Sequence, residues 1–296
     1  IILLIEVFGM KEYTLGLYEK SMPNYLTWEE KFSCARECGF DNIEISIDET
    51  KEKLSRIYMS KGDRKALVEL MFKYGVEIRT MCLSGHRKYP LGSLDEKIRN
   101  KGMEIMENAI ELADDLGIKI IQLAGYDVYY EEGNEVTRKH FKENLKKAVE
   151  MAASKGVILA FETMETEFMN TVGKAMTFVK EINSPYLQIY PDCGNVTNAA
   201  LEYGLTPSED FESGKGHIAA VHLKETVPGK FREVTFGKGH VNFEEIIKKS
   251  WDLGVRKFTV EFWYTGNDDW KDVIKETKCF MDDKFRKALC ENMKAV

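Results

Sequence analysis

The chain has 296 residues, a formal net charge of −7 and a pI near 5.5, which excludes a protein that tracks nucleic acid through a broad basic face but leaves room for a small anion held by a few local Lys or Arg. With 44% hydrophobic and 31% charged residues it has the make-up of a globular protein with a sizeable core. Cys34, Cys38, Cys82, Cys193, Cys279 and Cys290 are scattered without a C-x-x-C pair, which excludes a zinc ribbon and a dense disulfide framework and predicts reduced thiols in a cytoplasmic protein.

The opening "IILLIEVFG" is apolar but too short to span a membrane, and it lacks the basic stretch and small-residue cleavage site of a signal peptide. We read residues 1–9 as an extension outside the fold and residues 10–296 as one domain. The first predicted strand is "YTLGLYE". Then a polar, helix-like stretch, a Gly and a short run rich in Val, Ile, Phe and Leu recur in "ECGFDNIEIS", "KYGVEIRTMC", "DLGIKIIQLA", "SKGVILAFET" and "DLGVRKFTVEF". Gly just past a helix C-terminus adopts the left-handed conformation without a Cβ penalty, so each phrase reads helix, stop, strand.

Two more strands, "LQIYPD" after Pro185 and "HIAAVHLKE" after Gly216, complete a series of eight. Among the intervening amphipathic helices, 95–116 is expected to start from a Ser93–Glu96 capping box and to bury Ile98, Ile105, Met106, Ala109, Leu112 and Leu116. Eight strand-then-helix units without a Pro- or Ser-rich linker predict an α/β fold, a closed (β/α)8 TIM barrel in a single domain. An open doubly wound sheet is the competitor, and the absence of G-x-G-x-x-G after the first strand removes the usual reason to prefer its dinucleotide-binding form.

Alternation along the last four strands sets one ionisable residue on each against its apolar neighbours. Glu162 opposes Val157, Leu159 and Phe161; Asp192 opposes Leu187 and Ile189; His222 opposes Ala219, Val221 and Leu223; Glu261 opposes Phe258 and Val260. All four fall at the C-terminal strand ends, where barrels build active sites. Glu, Asp, His and Glu converging there form a ligand set for one divalent metal ion, Zn²⁺ or Mn²⁺. Each residue alone also has an ordinary structural reading, a strand-end ion pair or a hydrogen-bonded core histidine.

The phrases "AFETM", "YPDCGN", "AVHLKET" and "VEFWY", with "MCLSGHRKYPLGS" and "IQLAGYDVYY" before them, closely resemble the L-ribulose-5-phosphate 3-epimerases of the xylose isomerase-like barrel superfamily, from about Tyr13 to the final helices. The resemblance implies interconversion of L-ribulose 5-phosphate and L-xylulose 5-phosphate. It also implies that Glu162, Asp192, His222 and Glu261 bind the metal and that Glu162 and Glu261 double as the acid/base pair. Such a mechanism abstracts the weakly acidic C3 proton, stabilises an enediolate and returns a proton on the other face. Cys193, beside Asp192, is expected to be a small packing residue.

For the phosphate, "KETVPGKFREVTFGKG" supplies Lys224, Lys230, Arg232 and Lys238 among three glycines, allowing close backbone approach and a bidentate arginine contact. Arg232 ranks first because the resemblance places a substrate-binding arginine there. The "HRK" cluster of His86 to Lys88 is a second candidate, with His86 as a contact, and Tyr126 and Trp263 are wall candidates. The expected partner is a small ketopentose phosphate, with no nucleic acid and no membrane, and the expected assembly is a homodimer. The rivals are a two-metal ketose/hexulose-phosphate isomerase, an apurinic-site endonuclease and a non-catalytic sugar-phosphate binding barrel. The isomerase needs further inward acids, for which Glu44 and Asp48 are the spare residues.

Overall fold

The computed structural model describes residues 12–290, so the extension expected at 1–9 lies outside the described residues. Eight strands form one parallel sheet: β1 Thr14–Tyr18, β2 Asn42–Ile47, β3 Glu77–Leu83, β4 Ile120–Ala124, β5 Ile158–Glu162, β6 Leu187–Ile189, β7 Val221–Leu223 and β8 Lys257–Val260. Their order is β6-β5-β4-β3-β2-β1-β8-β7. Isolated parallel bridges at Ile189–Ile218 and Asp192–His222 join the two ends, with Ile189 N donating to His217 O at 2.8 Å and His222 N to Pro191 O at 2.9 Å. The expected barrel therefore closes, and its last seam is stitched beside two of the four candidate ligands.

All eight predicted strands are present. The five repeated glycines, Gly39, Gly75, Gly117, Gly156 and Gly254, all have positive φ, between 62° and 86°, so each repeat is a helix stop as its chemistry predicts. One start was misread. The helix Glu96–Leu116 is capped by Asp95, whose side chain accepts from Lys97 N, while the Ser93 hydroxyl accepts from Asp95 N at 3.2 Å. Ser93 lies two residues too early to cap, and Asp at position 95 also favours the positive end of the helix dipole.

Burial separates two apolar layers, as alternation requires. Leu159, Phe161, Leu187, Ile189, Val221, Leu223, Phe258 and Val260 belong to the large core between sheet and helices. Ile120, Ala160, Tyr190 and Ala220 form a smaller cluster that shares the parity of the candidate ligands. Ala219 is an exception, packing with the smaller cluster; it precedes the regular part of β7, where period-two reasoning does not yet hold. Among the described residues no helix is long and apolar enough to cross a membrane.

The helix Glu135–Ser154 starts from Asn134, whose side chain accepts from both Val136 N and Thr137 N. Asn134→Ala should cost about 1 kcal/mol of unfolding free energy, as the loss of an N-cap does. Urea denaturation reads the change, and an unaltered midpoint would mean that the cap contributes nothing.

Candidate active site

Each of the last four strands delivers one candidate ligand to the same end of the barrel. Glu162 is the last residue of β5, His222 the centre of β7, and Glu261 follows β8 directly. Asp192 follows β6 as the N-cap of the helix Cys193–Tyr203, its Oδ1 accepting from Asn195 N at 2.7 Å. One ligand atom from each of the four lies within 4.8 Å of all the others, and all four side chains are buried. The grouping expected from parity alone is the grouping observed.

Three carboxylates in so small a buried volume repel one another unless a cation is among them. Asp192 Oδ2 and Glu261 Oε2 are buried and, although nitrogens stand near them, neither makes a well-aligned hydrogen bond. The nearby cation of the chain itself is Lys224, whose Nζ is 3.1 Å from Asp192 Oδ2 and 3.7 Å from Glu261 Oε2, and which donates to Asn195 Oδ1 at 2.8 Å. With His222 neutral, as a metal ligand must be, one ammonium does not balance three ionised carboxylates. Carboxylate and imidazole atoms at this spacing, with buried oxygens whose hydrogen-bonding capacity is not filled, fit a divalent cation.

His222 is oriented from behind. Its Nε2 lies 2.7 Å from Glu44 Oε1, which fixes a proton on that nitrogen and turns Nδ1 towards Glu162 Oε1 at 3.5 Å and Glu261 Oε2 at 3.3 Å. Glu44 is itself held, its Oε2 accepting from Thr80 Oγ1 at 2.7 Å and from the Tyr190 hydroxyl at 3.1 Å. A carboxylate behind a ligating imidazole sets its tautomer and raises its basicity. Glu44→Gln should therefore weaken metal binding about 10- to 100-fold; titration of the metal-depleted protein with zinc measures it, and unchanged affinity would remove Glu44 from the site.

Burial pushes Asp192 up to about 8 and raises Glu162 as well, with Glu261 adding to the rise. Glu261 goes the other way: burial opposes its charge, but Lys224 and His222 draw its carboxyl well below the usual range. For His222, burial works against the imidazolium and is outweighed by Glu44, Tyr190 and Glu261, so its pKa is raised well above the ordinary value. Asp192, Glu162 and His222 thus hold on to protons that a cation would displace, while Glu261 stays ionised.

The mouth above the four residues is lined by Tyr18, Lys20, Arg87, Glu165, Arg232 and Trp263, among others. Arg232 is exposed, with its guanidinium 5.4 Å from the Trp263 ring centroid, so the two side chains share one wall. Lys224 lies below, against the carboxylates. Lys230 is exposed and donates to the carbonyl of Glu233 at 3.2 Å, outside the mouth lining.

His86 is not brought to the mouth either. It sits in the short 3-10 turn Ser84–Arg87, buried, with Nε2 3.0 Å from Gly102 O, and burial pushes its pKa down to about 4. The next residue, Arg87, faces the mouth instead, over the Tyr129 ring at 4.7 Å and donating to the hydroxyl of buried Tyr126 at 3.2 Å. Cys193 packs as expected: it is fully buried, its Sγ lies 3.5 Å from Lys224 N, and burial raises its thiol pKa.

The model of the Xylose isomerase-like TIM barrel family matches residues 32–284. The chain is 44% identical over 269 residues to an L-ribulose-5-phosphate 3-epimerase UlaE of Shigella boydii serotype 18, covering 90% of this chain and 93% of that protein. It is also 44% identical over 262 residues to the enzyme of the same name from Escherichia coli O157:H7, covering 88% and 90%. Among solved structures, an L-ribulose 3-epimerase superposes with a TM-score of 0.77 at 16% identity over 96% of this chain and 98% of that one. A D-tagatose 3-epimerase-like protein gives 0.75 at 21% identity over 93% and 99%. These two likenesses speak for the barrel alone, whereas the sequence relatives span nearly the whole molecule and, with the four strand-end residues, place it more narrowly. This chain belongs to the L-ribulose-5-phosphate 3-epimerase family of xylose isomerase-like TIM barrels.

Proposed function

We propose that this chain is a metal-dependent 3-epimerase that interconverts L-ribulose 5-phosphate and L-xylulose 5-phosphate. The observation that supports it most is the buried convergence of Glu162, Asp192, His222 and Glu261 within 4.8 Å of one another, in a chain nearly half identical to enzymes of that name. Those four residues would hold one divalent ion, zinc or manganese. Bound there, it would supply Lewis-acid stabilisation of the negative charge that builds on the substrate oxygens as C3 loses its proton.

The chain's own groups do the rest. Glu162 and Glu261 come from strands separated by β6 and β7, so a ketose lying across the mouth meets a carboxylate on each flank. One glutamate takes the C3 proton and the other returns a proton to the opposite face, which inverts the centre. Position is what each carboxylate contributes, since holding base and proton in reach lowers the barrier far more than a change of one or two pKa units. Lys224 and the rim residue Arg232 are the proposed contacts for the anionic end of the substrate, and Trp263 shares the Arg232 wall.

The two-metal isomerase reading needs Glu44 or Asp48 as further ligands. Glu44 is engaged with His222, Thr80 and Tyr190, and Asp48 pairs with Lys20 at 2.5 Å and accepts from Thr50. Both are committed, which supports one metal and epimerisation. Proton NMR of L-ribulose 5-phosphate in D2O with metal-loaded protein should show L-xylulose 5-phosphate appearing with deuterium at C3; inversion without solvent deuterium, or aldose formation, would contradict the proposal. The active form is proposed to be a cytoplasmic homodimer, and sedimentation velocity showing only monomer at micromolar concentration would contradict the assembly.

A further inference from the structure

The loop that carries Arg232 leaves β7, crosses the rim of the mouth and returns at Val241. Behind its far half, Phe236 is buried and packs against the rings of Phe243 (5.4 Å), Phe262 (6.0 Å) and Phe280 (6.1 Å). A cleft of about 450 Å³ opens beside the loop, lined by Val234, Phe236, Phe262, Trp263, Trp270 and Phe280 among others. Directly after Arg232 the backbone reverses at Glu233, a non-Gly residue at φ 56°, a conformation that persists only where surrounding structure imposes it. That shape is held by Phe236 on the far side of Arg232 and by hydrogen bonds at the ends of the loop.

One buried side chain joins those ends. Glu225, 3% exposed, accepts at Oε1 from Thr226 N (3.1 Å) and Val241 N (3.2 Å) and at Oε2 from Gly237 N (3.0 Å). Both oxygens of the carboxylate thus bind backbone N–H groups, the arrangement that makes an anion a strong acceptor. The closure is tight: a Cβ on Gly239 would lie 2.1 Å from Thr226 O and 2.2 Å from Glu225 Oε1. His240 N also donates to Thr226 O at 3.0 Å. The near half of the loop has a second tie, Gly229 N donating to Asn198 Oδ1 at 2.8 Å. Arg232 lies between the two fastenings.

We propose that Glu225 is a positioning residue: by clasping residues 226, 237 and 241 it holds the loop so that Arg232 stands over the mouth, and it acts on substrate capture through Arg232. This rests on the proposed sugar-phosphate epimerase only for the identity of the ligand that Arg232 meets. Replacement of Glu225 removes one fastening, and the Arg232 guanidinium then samples positions away from Trp263.

The test is a double-mutant cycle on metal-loaded protein with Glu225→Gln, Arg232→Ala and the double variant, with Glu225→Ala added if Glu225→Gln folds normally. Glu225→Gln should raise KM for the ketopentose phosphate about tenfold while kcat changes less than about threefold, the pattern of lost ground-state capture. The double variant should be no worse than Arg232→Ala alone, because residues acting through one contact are non-additive. A merely structural Glu225 would give additive losses, a fall in kcat at constant KM, or loss of bound metal, and any of these overturns the proposal. Independently of activity, Glu225→Gln should speed tryptic cleavage after Arg232 at a temperature where the rest of the chain resists, as local loosening does; an unchanged rate also overturns it. If the wild-type protein turns over no ketose phosphate while the cleavage rate responds as stated, the functional reading fails and the clasp survives.

Discussion

Glu162→Gln and Glu261→Gln should each lower epimerisation by about 10²- to 10⁴-fold, the range for removing a positioned acid or base. The amide keeps the size of the side chain at two buried strand ends, so the barrel should remain folded, and with metal at saturating concentration to offset the weakened ligand the remaining loss should fall on kcat. Because either glutamate faces the substrate from its own flank, the two variants should also differ in kind. One should still exchange the C3 proton of L-ribulose 5-phosphate with D2O while failing to invert it, and the other should do so for L-xylulose 5-phosphate. Proton NMR of each epimer separates exchange from inversion; two variants that retain near wild-type inversion would remove both glutamates from the chemistry.

The second large effect concerns Asp192, which has two tasks that substitution can separate. As a carboxylate it completes the cluster; as an N-cap it accepts from Asn195 N. Asp192→Asn keeps a good capping residue and surrenders the charge, so metal affinity should fall by more than the about 10- to 100-fold that outer-shell changes alone produce, with little change in unfolding free energy of the metal-free protein. Asp192→Ala should match that loss of affinity and add about 1 kcal/mol of destabilisation from the missing cap. Equal stability of the two variants would show that the cap is not used.

The same residue gives a pH dependence with a definite sign. Burial lifts Asp192 from 3.8 to about 8, so its protonated form stabilises the metal-free fold below the ordinary carboxylate range, and that contribution is lost as pH rises through about 8. Metal binding removes the same proton and is favoured in the same direction. The gain in Tm on adding zinc should therefore widen from pH 6 to pH 8.5, and a gain that shrinks over this interval would contradict the assignment.

What the sequence made legible was whatever follows a regular period. The strands were visible because helix, left-handed Gly and β-branched run recur with one chemistry, and Gly39, Gly75, Gly117, Gly156 and Gly254 all take the conformation it requires. The four strand-end residues were visible because period two leaves a single choice of face at each position. Outside regular elements no period exists, and there the reading failed or stopped short. In the 3-10 turn after β3, His86 turns inward to Gly102 O and its neighbour Arg87 faces the mouth; neither direction follows from spacing.

Other roles depend on partners far apart in the chain. Glu44 could be placed on the inward face of β2, but its partner His222 is 178 residues away. Only closure of the barrel brings the two together. Glu225 reads in isolation as one more loop acid, and its meaning lies in backbone groups at residues 237 and 241. Lys224 was assigned to the anionic end of the substrate, yet its nearest carboxylates are Asp192 and Glu261. Its contribution includes offsetting their charge.

Side chains from the last four strands are proposed to hold one cation jointly. Anomalous diffraction from crystals of manganese-loaded protein tests it most directly. One peak should appear per chain, at about 2.0–2.3 Å from an oxygen of each of Glu162, Asp192 and Glu261 and from His222 Nδ1, as transition-metal bonds to such ligands require. A fully loaded crystal with no peak among these four residues, or with its metal bound elsewhere, would contradict the account.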